Sequence, residues 1–192
     1  MNSHLFQGSL LRLTAANPDS SADVDALMRW ARDSEYLRLQ EGDPAMPRSA
    51  ARAKEILSNA QDHDGATFIL RPLDDERALG FVGLWANWTH GDAWLGIGIG
   101  DRADWSKGYG SEALRLALRY AFTELNLHRV SLTVLEGNAR AIRAYEKAGF
   151  VLEGQARHYS RYDGQWYGEV FMGVLREDWE EKDSSSKIQV PN

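Results

Sequence analysis

The chain has 192 residues, of which 43% are apolar, with seven tryptophans and no cysteine. That length and apolar content suit one domain with a real core and exclude global disorder, while the missing thiols exclude a disulfide framework, a thiolate metal site and a cysteine nucleophile. Twenty-two basic against 28 acidic residues leave a net charge of −6, which argues against a phosphate backbone as the main partner and suits a cationic substrate such as an amine.

Met1 to Gln7 lacks the basic flank and apolar run of a signal peptide, and no stretch approaches the roughly 18 apolar residues of a membrane span. The expectation is a cytoplasmic protein with neither membrane nor nucleic acid as partner. Ser9-Leu10-Leu11-Arg12-Leu13-Thr14 reads as a first strand, closed by the turn signal Asn17-Pro18. Ser20 or Ser21 caps a helix with Val24, Leu27, Met28 and Ala31 on one face. Pro44 and Pro47 interrupt the next segment, and Ser49 caps a second helix carrying Ala53, Ile56, Leu57 and Ala60. Two helices are thus expected before the second strand.

Three strands follow with short connections, at Thr67–Arg71, Leu79–Trp88 and Ala93–Ile99. Such connections suit antiparallel neighbours, because parallel pairing needs a long crossover. In the third, Gly96, Gly98 and Gly100 alternate with Ile97 and Ile99, a pattern that marks a bulge or a place where a ligand approaches the backbone. Gly110 or Ser111 opens a strong helix with Leu114, Ala117, Leu118, Ala121 and Leu125 inward. Arg129–Val134 is a β-branched strand, and Asn138 starts a shorter helix that Gly149 stops. Phe150-Val151-Leu152 begins another strand, and Glu169–Leu175 is the last, after a Tyr162-Asp163-Gly164 turn. The result is an α/β domain: a mixed, mostly antiparallel sheet with helices on both faces, spanning residues 1–181, then a polar tail at 182–192 expected to be disordered.

Trp105-Ser106-Lys107-Gly108-Tyr109-Gly110-Ser111 lies between the glycine-rich strand and the long helix. A glycine loop that opens a helix offers unpaired N–H groups and the positive end of the dipole to an anion, although an ordinary turn uses the same residues. Lys107 precedes the glycines, which is the wrong order for a P-loop. Gly98-Ile99-Gly100-Asp101-Arg102-Ala103 imitates a dinucleotide fingerprint but runs into Asp104-Trp105-Ser106-Lys107-Gly108, where that fingerprint needs a helix. The other informative segment is Asn138-Ala139-Arg140-Ala141-Ile142-Arg143-Ala144-Tyr145-Glu146-Lys147-Ala148-Gly149-Phe150.

Together the two segments resemble the GNAT superfamily of acetyl-CoA-dependent N-acetyltransferases. The loop from Trp105 is similar to the family's pyrophosphate loop, Arg/Gln-x-x-Gly-x-Gly/Ala, with Trp105 in the first position. Asn138 through Phe150 is similar to its N-x-x-A-x-x-x-Y-E-K-x-G-F segment. The order of elements from Ser9 to Leu175 follows the family as well, and the chain is most similar to the Rim-type branch of ribosomal-protein-alanine and small-amine acetyltransferases. The resemblance implies a GNAT fold in which a bulged strand splays from its neighbour and the pantetheine arm fills the gap. It implies that backbone groups at Ile97 and Ile99 meet that arm and that backbone groups of Lys107, Gly108, Tyr109, Gly110 and Ser111 hold the pyrophosphate. Asn138 either caps its own helix or bonds the pantetheine, and Arg143, with Arg140 and Lys147, either reaches the 3′-phosphate or forms a solvated helix face.

Tyr145 lies seven residues after Asn138, about two turns and hence on the same face. The resemblance implies that it protonates the departing thiolate, as the catalytic acid. Where relatives carry a strand glutamate, this chain has Trp94. Asp92, Glu112, His158 or a water chain remain as the base, and Trp94 is read as part of an acceptor pocket with Trp85, Trp88 and Tyr159. Most of the tryptophan is assigned to the core. Five scattered histidines offer no close ligand pair, so no metal is expected. The implied function is acetyl transfer from acetyl-CoA to a primary amine by direct attack in a ternary complex, the acceptor a protein N-terminus. The alternatives are a small-molecule amine (polyamine, amino acid or aminoglycoside) and a non-catalytic acyl-CoA-binding module. Exposed aromatics would support a homodimer.

Overall fold

A computed structural model describes residues 4–40, 44–61 and 65–188. Residues 1–3 of the N-terminal segment and 189–192 of the expected tail lie outside the described residues. Strand β1 (Leu11–Ala15) leads to helix α1 (Ser21–Trp30), whose N-cap is Ser20, the side chain accepting from the Asp23 N–H. Helix α3 (Ala50–Ser58) is capped in the same way by Ser49, which accepts from Arg52. Between them stands a helix the sequence reading does not contain, α2 (Ser34–Gln40). Asp33 caps it, accepting from the N–H groups of Glu35 and Tyr36. Only Tyr36 and Leu37 of α2 are buried, so it carries no i, i+4, i+7 repeat to be read.

Strands β2 (Gly65–Pro72), β3 (Gly80–Asn87) and β4 (Asp92–Ile99) form antiparallel hairpins. Helix α4 (Tyr109–Thr123), strand β5 (Arg129–Leu135), helix α5 (Ala139–Ala148), strands β6 (Val151–Tyr162) and β7 (Gln165–Leu175), and helix α6 (Arg176–Ile188) complete the chain. The sheet order is β1-β2-β3-β4-β5-β7-β6. Helix α6 therefore runs into the segment read as a tail. Trp179 holds it, packing on Phe122 with ring centroids 5.3 Å apart.

Side chains alternate between two cores. Phe68, Leu70, Val82, Leu84, Leu95 and Leu132 join α4 and α5 on one face, whereas Ile69 and Phe81 join α1, α2 and α3 on the other. On this second face the Asp23 carboxylate of α1 and Arg71 of β2 form a buried ion pair at 2.6 Å. The expected reservation of tryptophan for the core is corrected here. Trp30 alone is fully buried among the seven, and Trp85, Trp88, Trp94 and Trp166 are about half exposed. Trp85 and Trp94 stand opposite each other on β3 and β4, beyond the part of the sheet that α1–α3 cover.

The single parallel pairing holds the sheet together over only three residue pairs, Asp92↔Arg129, Ala93↔Val130 and Trp94↔Ser131. Past Trp94 the strands β4 and β5 diverge. The register of β4 against β3 is continuous from Asn87↔Asp92 to Gly80↔Ile99, so the divergence needs no bulge in β4. The register shifts lie instead in β6.

Candidate active site

The divergence opens one edge of β4, and strand geometry says which groups it exposes. The Gly100 N–H donates to the Leu79 carbonyl on the β3 side. Backbone groups alternate between edges, so Gly98 and Gly96 also face β3, while Leu95, Ile97 and Ile99 turn theirs to the opening. The Ile99 carbonyl is already taken there: the Trp105 indole Nε1 donates to it at 2.7 Å. That bond gives the tryptophan a structural reason to stand at the head of the loop. The Arg140 guanidinium lies over its ring, 3.8 Å from the centroid, and burial lowers the pKa of Arg140.

A cleft follows the open edge. It is lined by Ile97, Gly98 and Ile99 of β4, by Trp105, Gly108, Gly110 and Ser111, by Asn138, Arg140, Ala141 and Tyr145 of α5, and by Tyr36, Leu39 and Gln40 of α2. The loop reaches α4 through Ser106 and Gly108, both at positive φ, with Gly108 as the N-cap. The helix therefore starts at Tyr109, one residue earlier than Gly110. Its first backbone bond runs from Glu112 N–H to Gly108 carbonyl, so the N–H groups of Tyr109, Gly110 and Ser111 precede any helical partner and collect the positive end of the dipole.

Not every residue named from the sequence arrives in the cleft. Ile97, Ile99, Gly108, Gly110, Ser111, Asn138 and Tyr145 line it, whereas the Arg143 side chain does not, and Lys107 and Tyr109, expected to act through their backbone, send their side chains elsewhere. Lys107 pairs with Asp104 at 3.2 Å, Tyr109 packs against the core, and Arg143 is exposed on α5. Of the two arginines, Arg140 lines the cleft, its guanidinium over the Trp105 ring. Asn138 caps α5, accepting from Ala141 N–H at 3.2 Å, while also lining the cleft. Tyr145 is 9% exposed, and burial pushes its hydroxyl pKa up to about 12.

The proposed bases fare differently. Glu112 is buried, and its oxygens accept from Ser9 N–H and hydroxyl and from the N–H groups of Leu10 and Leu11. Desolvation pushes its pKa up, those hydrogen bonds pull it down, and the net shift is downward. Asp92 stands five residues before Ile97 on β4, about 16 Å along the strand. His158 is exposed on β6, stacked on Trp166 with centroids 5.9 Å apart. The carboxylate that does line the cleft is Asp104, which Arg77 engages at 2.6 and 3.1 Å. Arg77 is the main reason its pKa is lowered. Trp85 and Trp94 do share a face beside the cleft, whereas Trp88 follows the end of β3 and Tyr159 lies in the irregular part of β6.

A second groove leads away from the loop between α4, α5 and α6. Gly108, Ser111 and Ala144 belong to both, and the new walls carry Arg115, Lys147 and Lys182 around Trp179.

Residues 12–151 match the family model described as an acetyltransferase (GNAT) domain. The chain belongs to the GNAT acetyltransferase family. It is 30% identical over 179 residues to YokL, a prophage-derived uncharacterised N-acetyltransferase of Bacillus subtilis, covering 91% of this chain and 95% of that one. It is 30% identical over 136 residues to the ribosomal protein uS5-alanine N-acetyltransferase of Escherichia coli, covering 68% and 69%. Among solved structures, spermidine N-acetyltransferase from Vibrio cholerae in complex with CoA and spermine superposes with a TM-score of 0.78 at 24% identity, over 90% of this chain and 99% of that one. The protein is thus an N-acetyltransferase by family and fold, and a mixed sheet with helices on both faces is what the sequence led us to expect. Among the described residues no helix is long and apolar enough to cross a membrane.

Proposed function

We propose that the protein transfers the acetyl group of acetyl-CoA to a primary amine, by direct attack in a ternary complex, with a protein N-terminus as acceptor. The observation that carries this reading is the convergence on one cleft of three features: the open edge of β4 at Ile97, the N–H groups that precede the first helical bond of α4, and the Tyr145 hydroxyl. The pantetheine arm lies along the open edge as a short extra strand. The pyrophosphate meets the N–H groups of Tyr109, Gly110 and Ser111 beside the Arg140 charge. The 3′-phosphate end continues into the second groove toward Arg115 and Lys147.

In the reaction the amine nitrogen attacks the thioester carbonyl carbon, and the Ile97 N–H stabilises the oxyanion. The tetrahedral adduct then collapses: the oxygen's electron pair re-forms the carbonyl, the C–S bond breaks, and the departing thiolate takes the Tyr145 proton. The amine loses its extra proton to water, since the cleft carboxylate Asp104 is held by Arg77. A peptide acceptor fits because Trp85 and Trp94, paired across β3 and β4, stand half exposed and offer an apolar surface to an extended chain.

The test is thiol release from acetyl-CoA with separate pools of N-terminal peptides, polyamines, amino acids and aminoglycosides. Release with the peptides is the expected result. Release with only a small amine corrects the acceptor, and binding of acetyl-CoA with silence from every pool overturns the enzymatic reading in favour of an acyl-CoA-binding module.

A further inference from the structure

Helix α2 brings a second tyrosine to the cleft. Tyr36 is 3% exposed, and its hydroxyl lies at the cleft wall with no hydrogen-bond partner among the described residues. A buried polar group left unpaired is unfavourable, so a native protein keeps one where something else completes it. Its place is set by Gly98. A Cβ there would meet the Tyr36 hydroxyl at 2.9 Å and the Gln40 side-chain oxygen at 2.3 Å. The missing side chain is what admits both groups onto the strand.

Their side of the sheet matters. Gly98 pairs with Phe81, and Gly96 and Trp94 follow it on the face of α1–α3. Tyr145 belongs to the core on the opposite face, with α4. A thioester held at the edge of β4 is therefore flanked by one tyrosine from each face. If Tyr145 serves the departing sulfur, the face of Tyr36, Trp94 and Trp85 is the one left to the incoming amine. A neutral amine attacks with its lone pair and so presents only N–H groups to the protein, which must offer an acceptor. Burial pushes the Tyr36 pKa up, so the hydroxyl stays neutral and offers its oxygen without acting as a base.

We propose that the Tyr36 hydroxyl receives the acceptor amine, accepting a hydrogen bond from its N–H and holding it on the face of β4 opposite Tyr145. This rests on the acetyltransferase reading above. The test is Tyr36→Phe, with an alanine-starting peptide and spermidine as acceptors. For whichever amine the wild type acetylates, KM should rise roughly 3- to 10-fold, as for loss of one hydrogen bond. The acetyl-CoA Kd measured by calorimetry should not move. The melting temperature of the free variant should stay level or rise, because the deleted hydroxyl has no partner to lose.

Three results overturn the assignment: an unchanged amine KM, a weakened acetyl-CoA Kd in its place, or a variant that melts lower or fails to fold. The last would show that the hydroxyl is structural. Wild-type protein that binds acetyl-CoA and stays silent with these two amines and with the amino-acid and aminoglycoside pools overturns the reading beneath the proposal, and the two failures are thereby distinguished.

Discussion

Tyr145 is the residue on which the chemistry turns. Replacing it with Phe keeps its edge-to-face contact with Phe150, whose ring centroid is 5.9 Å away, and removes only the acid. Turnover should fall about 10²-fold or more while acetyl-CoA binding is retained; equal kcat values would remove Tyr145 from the mechanism. The pH profile makes a second check. Burial raises the hydroxyl pKa to about 12, so the proton-donating form is present below that value and lost only above it. Wild-type kcat should therefore show no descending limb from this group up to pH 10 in a stopped assay. Tyr145 and Asn138 are readable in sequence because their identity and helical spacing travel together. Trp105 is legible only as an exception to a loop pattern, since its reason lies in a bond to the Ile99 carbonyl. Tyr36 is silent in sequence: its importance comes from what it lacks, a partner, and that is a property of the packed molecule.

Among the elements, α4 illustrates how a residue with the character of a catalytic group can be structural. Glu112 sits in its first turn and binds the chain at the entry to β1 through Ser9, Leu10 and Leu11. Glu112→Gln replaces one accepting oxygen with a donor facing those N–H groups, and should cost on the order of 2–3 kcal/mol in urea unfolding. Its folded pKa is depressed, so the stability it adds is present above the ordinary carboxylate range and is lost as pH falls through the folded value. The gap between variant and wild type should accordingly narrow toward acid pH, and a gap that persists undiminished there would deny the carboxylate its role. Element by element, periodicity and caps made α1, α3 and α5 legible, with Ser20, Ser49 and Asn138 capping as read. Helix α2 escaped because seven residues carry less than two repeats of the pattern. The extension of α6 escaped because its polar sequence gives no apolar stripe beyond Trp179.

At the scale of the whole molecule, the sheet is two sheets joined at one end. Strands β1–β4 and β5–β7 share only the pairs from Asp92 to Trp94, and the cleft is the wedge between them. The alternation of backbone direction along β4 then makes a prediction that no single side chain controls. The Gly98 and Gly100 N–H groups face β3 and are protected whether or not the wedge is filled, as the Gly100 bond to Leu79 shows. The Ile97 and Ile99 N–H groups face the wedge and depend on what occupies it. Amide exchange followed by NMR should show these two slowing sharply on addition of CoA, while Gly98 and Gly100, one residue away, change only by the global stabilisation that any ligand confers. Uniform slowing of all four would mean that CoA stiffens the strand from elsewhere, and would remove the pantetheine from the open edge of β4. An alternating response would place it there from the backbone alone, and it would do so even in a Tyr145→Phe protein that no longer turns over.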